Sequence, residues 1–385
     1  MKLTIPQESF ARALNIASRF TTPKVQLPIL ANVYLSAKKN TLTISATNLE
    51  ISVSLQIPSD ITEDGDITIP ARTLTDIITN LKKGDVSIST DDALVLIKAS
   101  GFNGKVPGMP GDDFPVVPKE LGKTAISIKT ADFSDALSKM LYAVSVDESR
   151  PILTGVLCIL KNKELTLVST DGFRLSKTTL ALDTEGEGTF IVPKGIVSEI
   201  VRTKDEGDTL SFSYTKEENQ FICKIGNTIL SSRLIDGNFP DFDRIIPKTT
   251  TTTILVGKSD LLRAVKIASI FAKDSANVIK MKIGESDLSI SADSSQKGNE
   301  ETVIDAEVSD SNKKGESNTT NHLSIALDGT SQAIAYNCKF IEDFLSNMIG
   351  DELSISLTTP SAPTIFSDLK DTGFLHIIMP IKLQS

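Results

Sequence analysis

The chain has 385 residues, 40% apolar and 23% charged, with a formal net charge of −9, three cysteines and two histidines. That length exceeds one ordinary core and splits into about two or three domains. The acidic balance excludes a protein coated in positive charge but leaves room for a local basic surface.

The bulk sequence narrows the class further. No apolar run approaches the roughly 18 to 20 residues of a membrane span. The start, Met-Lys-Leu-Thr-Ile-Pro-Gln-Glu-Ser, lacks the apolar segment of a signal peptide. A cytoplasmic protein without membrane contact is therefore expected. Cys158, Cys223 and Cys338 lie far apart without a C-x-x-C pair, and His322 and His376 stand alone. Buried thiols are expected rather than disulfides, and no metal site or cofactor.

Taken in order, the chain opens with a strand at Leu3–Ile5 and Pro6. A helix follows with Phe10, Ala13, Leu14 and Ala17 at the i, i+3, i+4, i+7 spacing of one apolar face. Strands are predicted at Ile29–Leu35, Thr41–Ala46 and Ile51–Ile57. The plan then repeats: strand Ile67–Ile69, Pro70, a helix with Leu74, Ile77, Ile78 and Leu81, and strands Val86–Ser89 and Leu94–Ala99. Residues 125–249 say the same again. Pro28-Ile29-Leu30 returns as Pro151-Ile152-Leu153, and Leu42 to Asn48 returns as Leu165 to Asp171, both at an offset of 123 residues. Phe133, Ala136 and Leu137, then Pro193, Val197, Ile200 and Val201, repeat the two helix faces at that offset. A third copy contains Leu288 to Ala292 and helices carrying Leu261, Leu262, Val265, Ala268 and Ile341, Phe344, Leu345, Met348. The polar stretch 294–321 reads as a strand pair with an extended exposed loop.

The result is three tandem α+β repeats, 1–120, 125–249 and 252–385, each a duplicated β-α-β-β-β unit. Helices should pack on one face of antiparallel sheet. Six helices would then share one concave face.

Leu27-Pro28-Ile29-Leu30, Ile69-Pro70-Ala71-Arg72, Ser169-Thr170-Asp171-Gly172-Phe173-Arg174-Leu175, Leu234 to Asp241 and the ending Ile377 to Leu383 occur in order along the whole chain. In these motifs it resembles the bacterial DNA polymerase III beta subunits, the sliding clamps. The resemblance implies the DNA-clamp fold closed as a head-to-tail homodimeric ring, with helices lining the hole and sheets outside. It implies a non-catalytic processivity factor that encircles double-stranded DNA irrespective of sequence. Its partners would be the replicative polymerase, a clamp-loader ATPase and other proteins carrying a clamp-binding motif.

The resemblance also assigns sites. Lys105, Val106 and Met109 would meet Ile270 and Phe271 of a second copy, although Phe271 reads equally well as internal core. A partner-peptide pocket would comprise Leu153, Thr170, Gly172, Phe173, Arg174, Leu175, Pro240, Arg244, Ile245, Ile377, Ile378, Met379, Pro380 and Ile381, with Asn337, Phe340 and Lys382 at its rim. Such an aliphatic groove suits short peptides with Leu and Phe anchors. If helices line a hole, their basic residues face phosphates: Arg72, Lys82, Lys83, Lys194, Arg202, Lys204, Arg263, Lys266 and Lys339, with Lys24 in a loop. Any one of these lysines, taken alone, reads as a solvated helix face; the set carries the expectation.

Two rivals remain at this point. Ser169, Thr170, Asp171, Asp241 and Asp243 can be imagined as an enzyme site, but the chain has no G-x-S-x-G, Walker loop or G-x-G-x-x-G motif. Asp171-Gly172 and Asp236-Gly237 are also ordinary turn dipeptides. A repeat-built scaffold binding proteins but no DNA is the second.

Overall fold

The computed structural model describes residues 1–22, 27–122, 124–215, 217–310 and 333–382. Contacts divide the chain into two compact units. One comprises Met1–Asp135, Leu182–Gly186 and Phe190–Asp236; the other comprises Ala136–Ala181, Glu187–Thr189 and the chain from Gly237 onward.

The first unit holds two sheets. Strands Asp60–Glu63, Lys2–Pro6, Asp85–Asp91, Leu94–Ala99 and Phe102–Pro107 form one in that order. The other runs Ile126–Lys129, Thr209–Thr215, Gln220–Ile225, Thr228–Arg233, Ile51–Pro58, Thr41–Thr47, Asn32–Lys38 and Gly65–Pro70. In its middle Thr228–Arg233 pairs antiparallel with Ile51–Pro58, so strands of the first and second repeats share one continuous sheet. This is why contacts yield two units from a chain written as three repeats.

The second unit repeats the device. Gly155–Thr170, Arg174–Pro193, Phe374–Ile378, Thr364–Asp368, Glu352–Leu357, Thr252–Gly257 and Glu307–Asp310 form a seven-stranded sheet. Its join is the antiparallel pairing of Arg174 to Thr178 with Phe374–Ile378. A four-stranded sheet contains Gly298–Asp305, Asp287–Ser294, Val278–Ile283 and Ile334–Asn337.

Among the described residues there are six α-helices: α1 Gln7–Ala17, α2 Ala71–Asn80, α3 Thr130–Leu141, α4 Lys194–Arg202, α5 Lys258–Ala272 and α6 Cys338–Asn347. None is long and apolar enough to cross a membrane. Helices α1, α2 and α4 each start directly after a proline, Pro6, Pro70 and Pro193, with φ of −62°, −51° and −58°. Proline lacks the N–H that would extend the strand ladder, and its fixed φ leads into the helix. Asn337 caps α6 by accepting from Lys339 N at 3.0 Å. The expected apolar faces are inside: Phe10, Ala13, Leu14 and Ala17 of α1, and Ile341, Phe344, Leu345 and Met348 next to and within α6, are buried. Each such side chain contributes about 1.5–3 kcal/mol of burial when it is large. Ile77, Leu81, Val201 and Leu262 sit at the margins of their faces, half-buried.

The structure corrects three local readings. Ile29–Leu35 does not begin as a strand: Pro28–Ala31 is a 3-10 turn, with Leu30 N donating to Leu27 O, and the strand starts at Asn32. Pro28 opens the turn, which places Leu30 in the core. Pro151–Leu153 does the same in the next repeat. Strands Asp60–Glu63 and Phe102–Pro107 escaped prediction because one is nearly all polar and the other contains Gly104 and Pro107, residues that normally interrupt strands. Gly104 has a local reason to be there, since the Phe102 ring lies 2.7 Å from where a Cβ would stand. Within 294–321, Gly298–Asp305 pairs back on Asp287–Ser294 and Glu307–Asp310 follows; residues 311–321 lie outside the described residues.

The loop after α6 is organised by one carboxylate. Asp368 is 1% exposed and accepts from the N–H groups of Ile349 (2.7 Å), Gly350 (2.9 Å) and Lys370 (2.9 Å). Burial works to raise its pKa, but these donors and the nearby Lys139 hold it below the usual carboxylate range. A depressed folded-state pKa adds stability above the unfolded value that is lost as pH falls through the folded one. Asp368→Ala is expected to cost about 1–3 kcal/mol in urea unfolding at neutral pH, with the difference from the parent shrinking below about pH 4. A constant difference across that range would exclude this role.

Candidate functional site

The turn after the strand Gly155–Thr170 is built entirely by its own short polar side chains. Asp171 Oδ1 accepts from the N–H of Phe173 (2.9 Å) and Arg174 (3.0 Å). Thr170 Oγ1 donates to Arg174 O (2.6 Å) and accepts from Gly172 N (3.1 Å). Gly172 takes a φ of +94°, which glycine adopts without the Cβ penalty. The turn holds Phe173 outward, 61% exposed, while Phe173 O accepts from Met379 N at 2.8 Å. An apolar ring displayed on a rigid turn is available to a partner.

Behind it lies the floor. Leu153, Thr170, Leu175, Ile377 and Ile378 are buried, so they shape the surface from beneath. The accessible apolar groups are Phe173, Ile245 and Ile381, with Met379, Pro380 and Phe340 half-buried. Ile381 N donates to Ala335 O (2.8 Å), bringing the C-terminal segment beside the strand that leads to Asn337 and α6. Pro240, Arg244 and Lys382 are exposed, and Arg244 pairs with Asp241 at 2.7 Å. The segment bearing Pro240, Arg244 and Ile245 is tied to the neighbouring strand by Lys177, which lies 5.2 Å over the Phe242 ring and 3.4 Å from Asp243.

Arg174 is the most constrained cation of the site. Its Nε donates to Asp171 (3.0 Å) and its Nη1 to Asp343 on α6 (2.6 Å). Its guanidinium lies 4.3 Å over Phe340 and 5.5 Å from the ring of Tyr142. The sequence reading missed Tyr142, Lys177, Phe242 and Asp343. Asp343 carried a signal, standing three residues after Phe340 and thus on the same side of a helix.

The first unit contains an internal control. At the repeat offset, Asn48 Oδ1 accepts from Glu50 N (3.0 Å) and Ile51 N (2.8 Å), and Thr47 Oγ1 bonds Ile51 O (3.1 Å) and Leu49 N (3.0 Å). Arg233 N donates to Glu50 O as Met379 N does to Phe173 O. The turn is the same, but the floor is not. By strand register Ser52, Ser231 and Ser232 stand where the second unit has Leu175, Ile377 and Ile378. Ser52 and Ser231 bond each other at 2.5 Å. Three apolar positions of the second unit's floor are thus serines in the first, whereas Leu30 matches Leu153.

Three family models match the chain in succession: the N-terminal domain of the DNA polymerase III beta subunit over residues 1–118, its central domain over 127–241 and its C-terminal domain over 243–382. The chain belongs to the DNA polymerase III beta subunit family. It is 28% identical to the beta sliding clamp of Staphylococcus epidermidis over 398 aligned positions and 27% identical to that of Staphylococcus aureus over 396, covering 99% of each chain. Its fold is similar to the sliding clamp of Bacillus subtilis, with a TM-score of 0.90 at 24% identity over the whole of both chains. A clamp from Pseudomonas aeruginosa, bound to griselimycin, gives 0.89 at 22% over the whole of both.

Of the basic residues expected to face DNA, Lys83 and Arg202 hold close carboxylate partners. Lys83 meets Glu8 at 2.5 Å, a hydrogen bond that raises its pKa. Arg202 bonds the buried Glu199 at 2.7 Å. Arg72 is extended into solvent, 3.9 Å from Asp76. Lys204 and Lys266 are exposed and Lys194 is half-buried; Lys24 lies outside the described residues. Arg12 on α1 and Arg19 in the 3-10 turn just after it were overlooked because only the apolar face of α1 was read. Arg12 bonds Glu206 (2.8 Å) and Arg19 bonds Glu199 (2.7 Å). At the expected subunit contact, Lys105 and Met109 are exposed and Ile270 is 54% exposed, whereas Phe271 is half-buried. Val106 is 5% exposed and faces its own core, so it offers an interface main-chain groups only.

Beneath Arg174, His376 is fully buried beside Ser176 Oγ (2.9 Å) and stacked 5.5 Å from Phe344. Burial, and secondarily Arg174, lower its pKa to about 3. Since the folded value lies below the unfolded one, neutral His376 favours folding above about pH 6.5, and that contribution fades as pH falls toward 3. His376→Phe is expected to flatten the urea stability profile between pH 6.5 and 4; an unchanged slope would overturn the assignment.

Proposed function

We propose that this chain is the processivity clamp of a bacterial replicative DNA polymerase, a ring-shaped homodimer that encircles duplex DNA and tethers partners through the Phe173 site. Its three clamp domains are 1–120, 125–249 and 252–385. The reading rests on one observation: the three domains of the beta subunit family follow one another along the chain, from residue 1 to 382. As a replication factor it works in the cytoplasm, without catalysing a reaction itself. Encirclement holds DNA by topology, so the tethered polymerase meets the same template at high effective concentration. The peptides presented by the polymerase, the clamp-loader ATPase and other DNA-processing proteins dock on Phe173, Met379, Ile381 and their neighbours.

Closure of the ring follows the logic of the shared sheets. Two joins are made within the chain, each between a strand from the first half of one repeat and a strand from the second half of the next. Among the described residues, Gly298–Asp305 and Phe102–Pro107 stand in the corresponding places, and each is the last strand of its sheet. An open strand edge is a template for another chain. We assign the third join to these two edges, each taken from a different copy. Lys105 on one edge and Glu300 and Glu301 on the other supply opposite charges. Ile270, exposed on α5, would be covered alongside.

The duplex-facing residues in this reading are Lys24, Arg72, Lys83, Lys194, Arg202, Lys204 and Lys266, with Arg12 and Arg19 added. After loading onto nicked circular DNA by a clamp-loading ATPase, the protein should stay with circles during gel filtration in elevated salt and leave once the DNA is linearised. Equal loss from circles and linear DNA, with a control clamp retained on circles, would eliminate encirclement and favour a protein-only scaffold. Lys105→Glu should weaken the homodimer at least about tenfold in sedimentation velocity, as expected for placing like charges at an interface. Dimer strength unchanged by that substitution would remove Phe102–Pro107 from the joint.

A further inference from the structure

The two copies of the turn pose a question that the turn itself cannot answer. Where the second unit has Arg174, the first has Ile51, yet the side-chain-to-backbone bonds that close the turn are the same in both. An arginine is therefore not needed to make this turn. It is also costly to place there, since the side chain is only 11% exposed and must be compensated by two carboxylates, Asp171 and Asp343. Half-buried ion pairs contribute little net stability, because desolvation offsets most of the attraction. What they do supply is geometry, because the guanidinium is a planar fork that fixes the direction of each partner.

That geometry links the two sides of the partner site. Asp171 anchors one edge of the guanidinium to the turn bearing Phe173, and Asp343 anchors another to α6. The flat face rests on Phe340, one turn earlier on the same helix. At the equivalent place in the first unit α4 carries Glu199, which is engaged elsewhere, by Arg19 and Arg202, while the Ile51 side chain lies 4.0 Å from where a Cβ on Gly195 would stand. The bridge between turn and helix thus occurs where an apolar floor lies behind the turn and is absent where serines replace it.

We infer that Asp343 is a positioning residue for the partner site: through Arg174 it sets the separation between the Phe173 turn and the start of α6, with its cap Asn337 and with Phe340. The inference rests on the proposed role of this site in binding peptides. Asp343 accomplishes this without contacting the peptide, by holding Arg174 flat between Phe340 and Tyr142.

The test is binding of a fluorescein-labelled nine-residue peptide with Leu and Phe anchors to the full-length protein, measured by anisotropy. Asp343→Asn should weaken binding about tenfold, and Asp343→Glu should recover much of that loss. Arg174→Lys keeps the charge but loses the fork and should also cost about tenfold. The double variant should be no weaker than the weaker single one, because both act through one bridge. Homodimer strength in sedimentation velocity, which does not pass through this site, should stay at the parental level in each variant, a result that general loosening of the fold would not give. Should Asp343→Asn fail to fold, Arg174→Lys carries the comparison alone. Parental binding within twofold in Asp343→Asn or Arg174→Lys, or additive losses in the double variant, would overturn the positioning role. If the unaltered protein binds no such peptide, the partner-site reading itself falls and this inference goes with it.

Discussion

Main-chain hydrogen bonding at strand edges is the constraint on which this structure depends. A sheet that stops leaves a row of N–H and C=O groups needing partners, and the first and second repeats of this chain each meet that need with a strand of the next. Thr228 to Ser232 lie on Leu55 to Ile51, and Arg174 to Thr178 lie on Ile378 to Phe374. The repeats are consequently not separate cores joined by linkers. They are segments of shared sheets, and the same rule that joins them within the chain specifies where a second copy would be required.

Much of this was legible in the sequence because it depends on periodicity. Phe10, Ala13, Leu14 and Ala17 declare a helix face, and recurrence of the pattern at Phe133, Ala136 and Leu137 declares the repeat. What escaped depended on contacts remote in sequence. Phe102–Pro107 contains a glycine and a proline and becomes a strand because Leu94–Ala99 offers it a ladder. Pro28-Ile29-Leu30 looks like the start of an apolar strand, yet its proline begins a turn whose leucine fills the core. The candidate site divides in the same way. The Thr-Asp-Gly-Phe turn is local chemistry and can be read directly, whereas Asp343 acquires its meaning only when α6 is brought to Arg174 by the fold.

Comparison of the two turns separates what the backbone needs from what the surface is for. Thr47 with Asn48, and Thr170 with Asp171, are retained because they satisfy N–H groups that the tight turn would otherwise leave without partners. Leu49 adopts a φ of +75° where Gly172 adopts +94°, so the first copy tolerates a side chain in a left-handed conformation. Residues behind the turn are under no such obligation and have diverged, to serines in one unit and to Leu175, Ile377 and Ile378 in the other. Divergence at the floor beneath an unchanged turn is what specialisation of a single copy for apolar ligands would produce.

The same economy governs the charged helices. A net charge of −9 is difficult to reconcile with DNA binding if only the total is counted, but the total is not what a phosphate encounters. Arg12, Arg19, Arg202 and Lys83 each hold a carboxylate close by, and Glu199 serves two of them at once. A phosphate approaching these groups must compete with a partner already in place, so each contact gains less than a free cation would give. For a protein that grips DNA by bonding, that would be a defect. In the proposed ring, held by topology, weak and interchangeable contacts would keep the barrier to movement along the duplex low, and pairing Arg12, Arg19, Arg202 and Lys83 in advance would serve this without removing them.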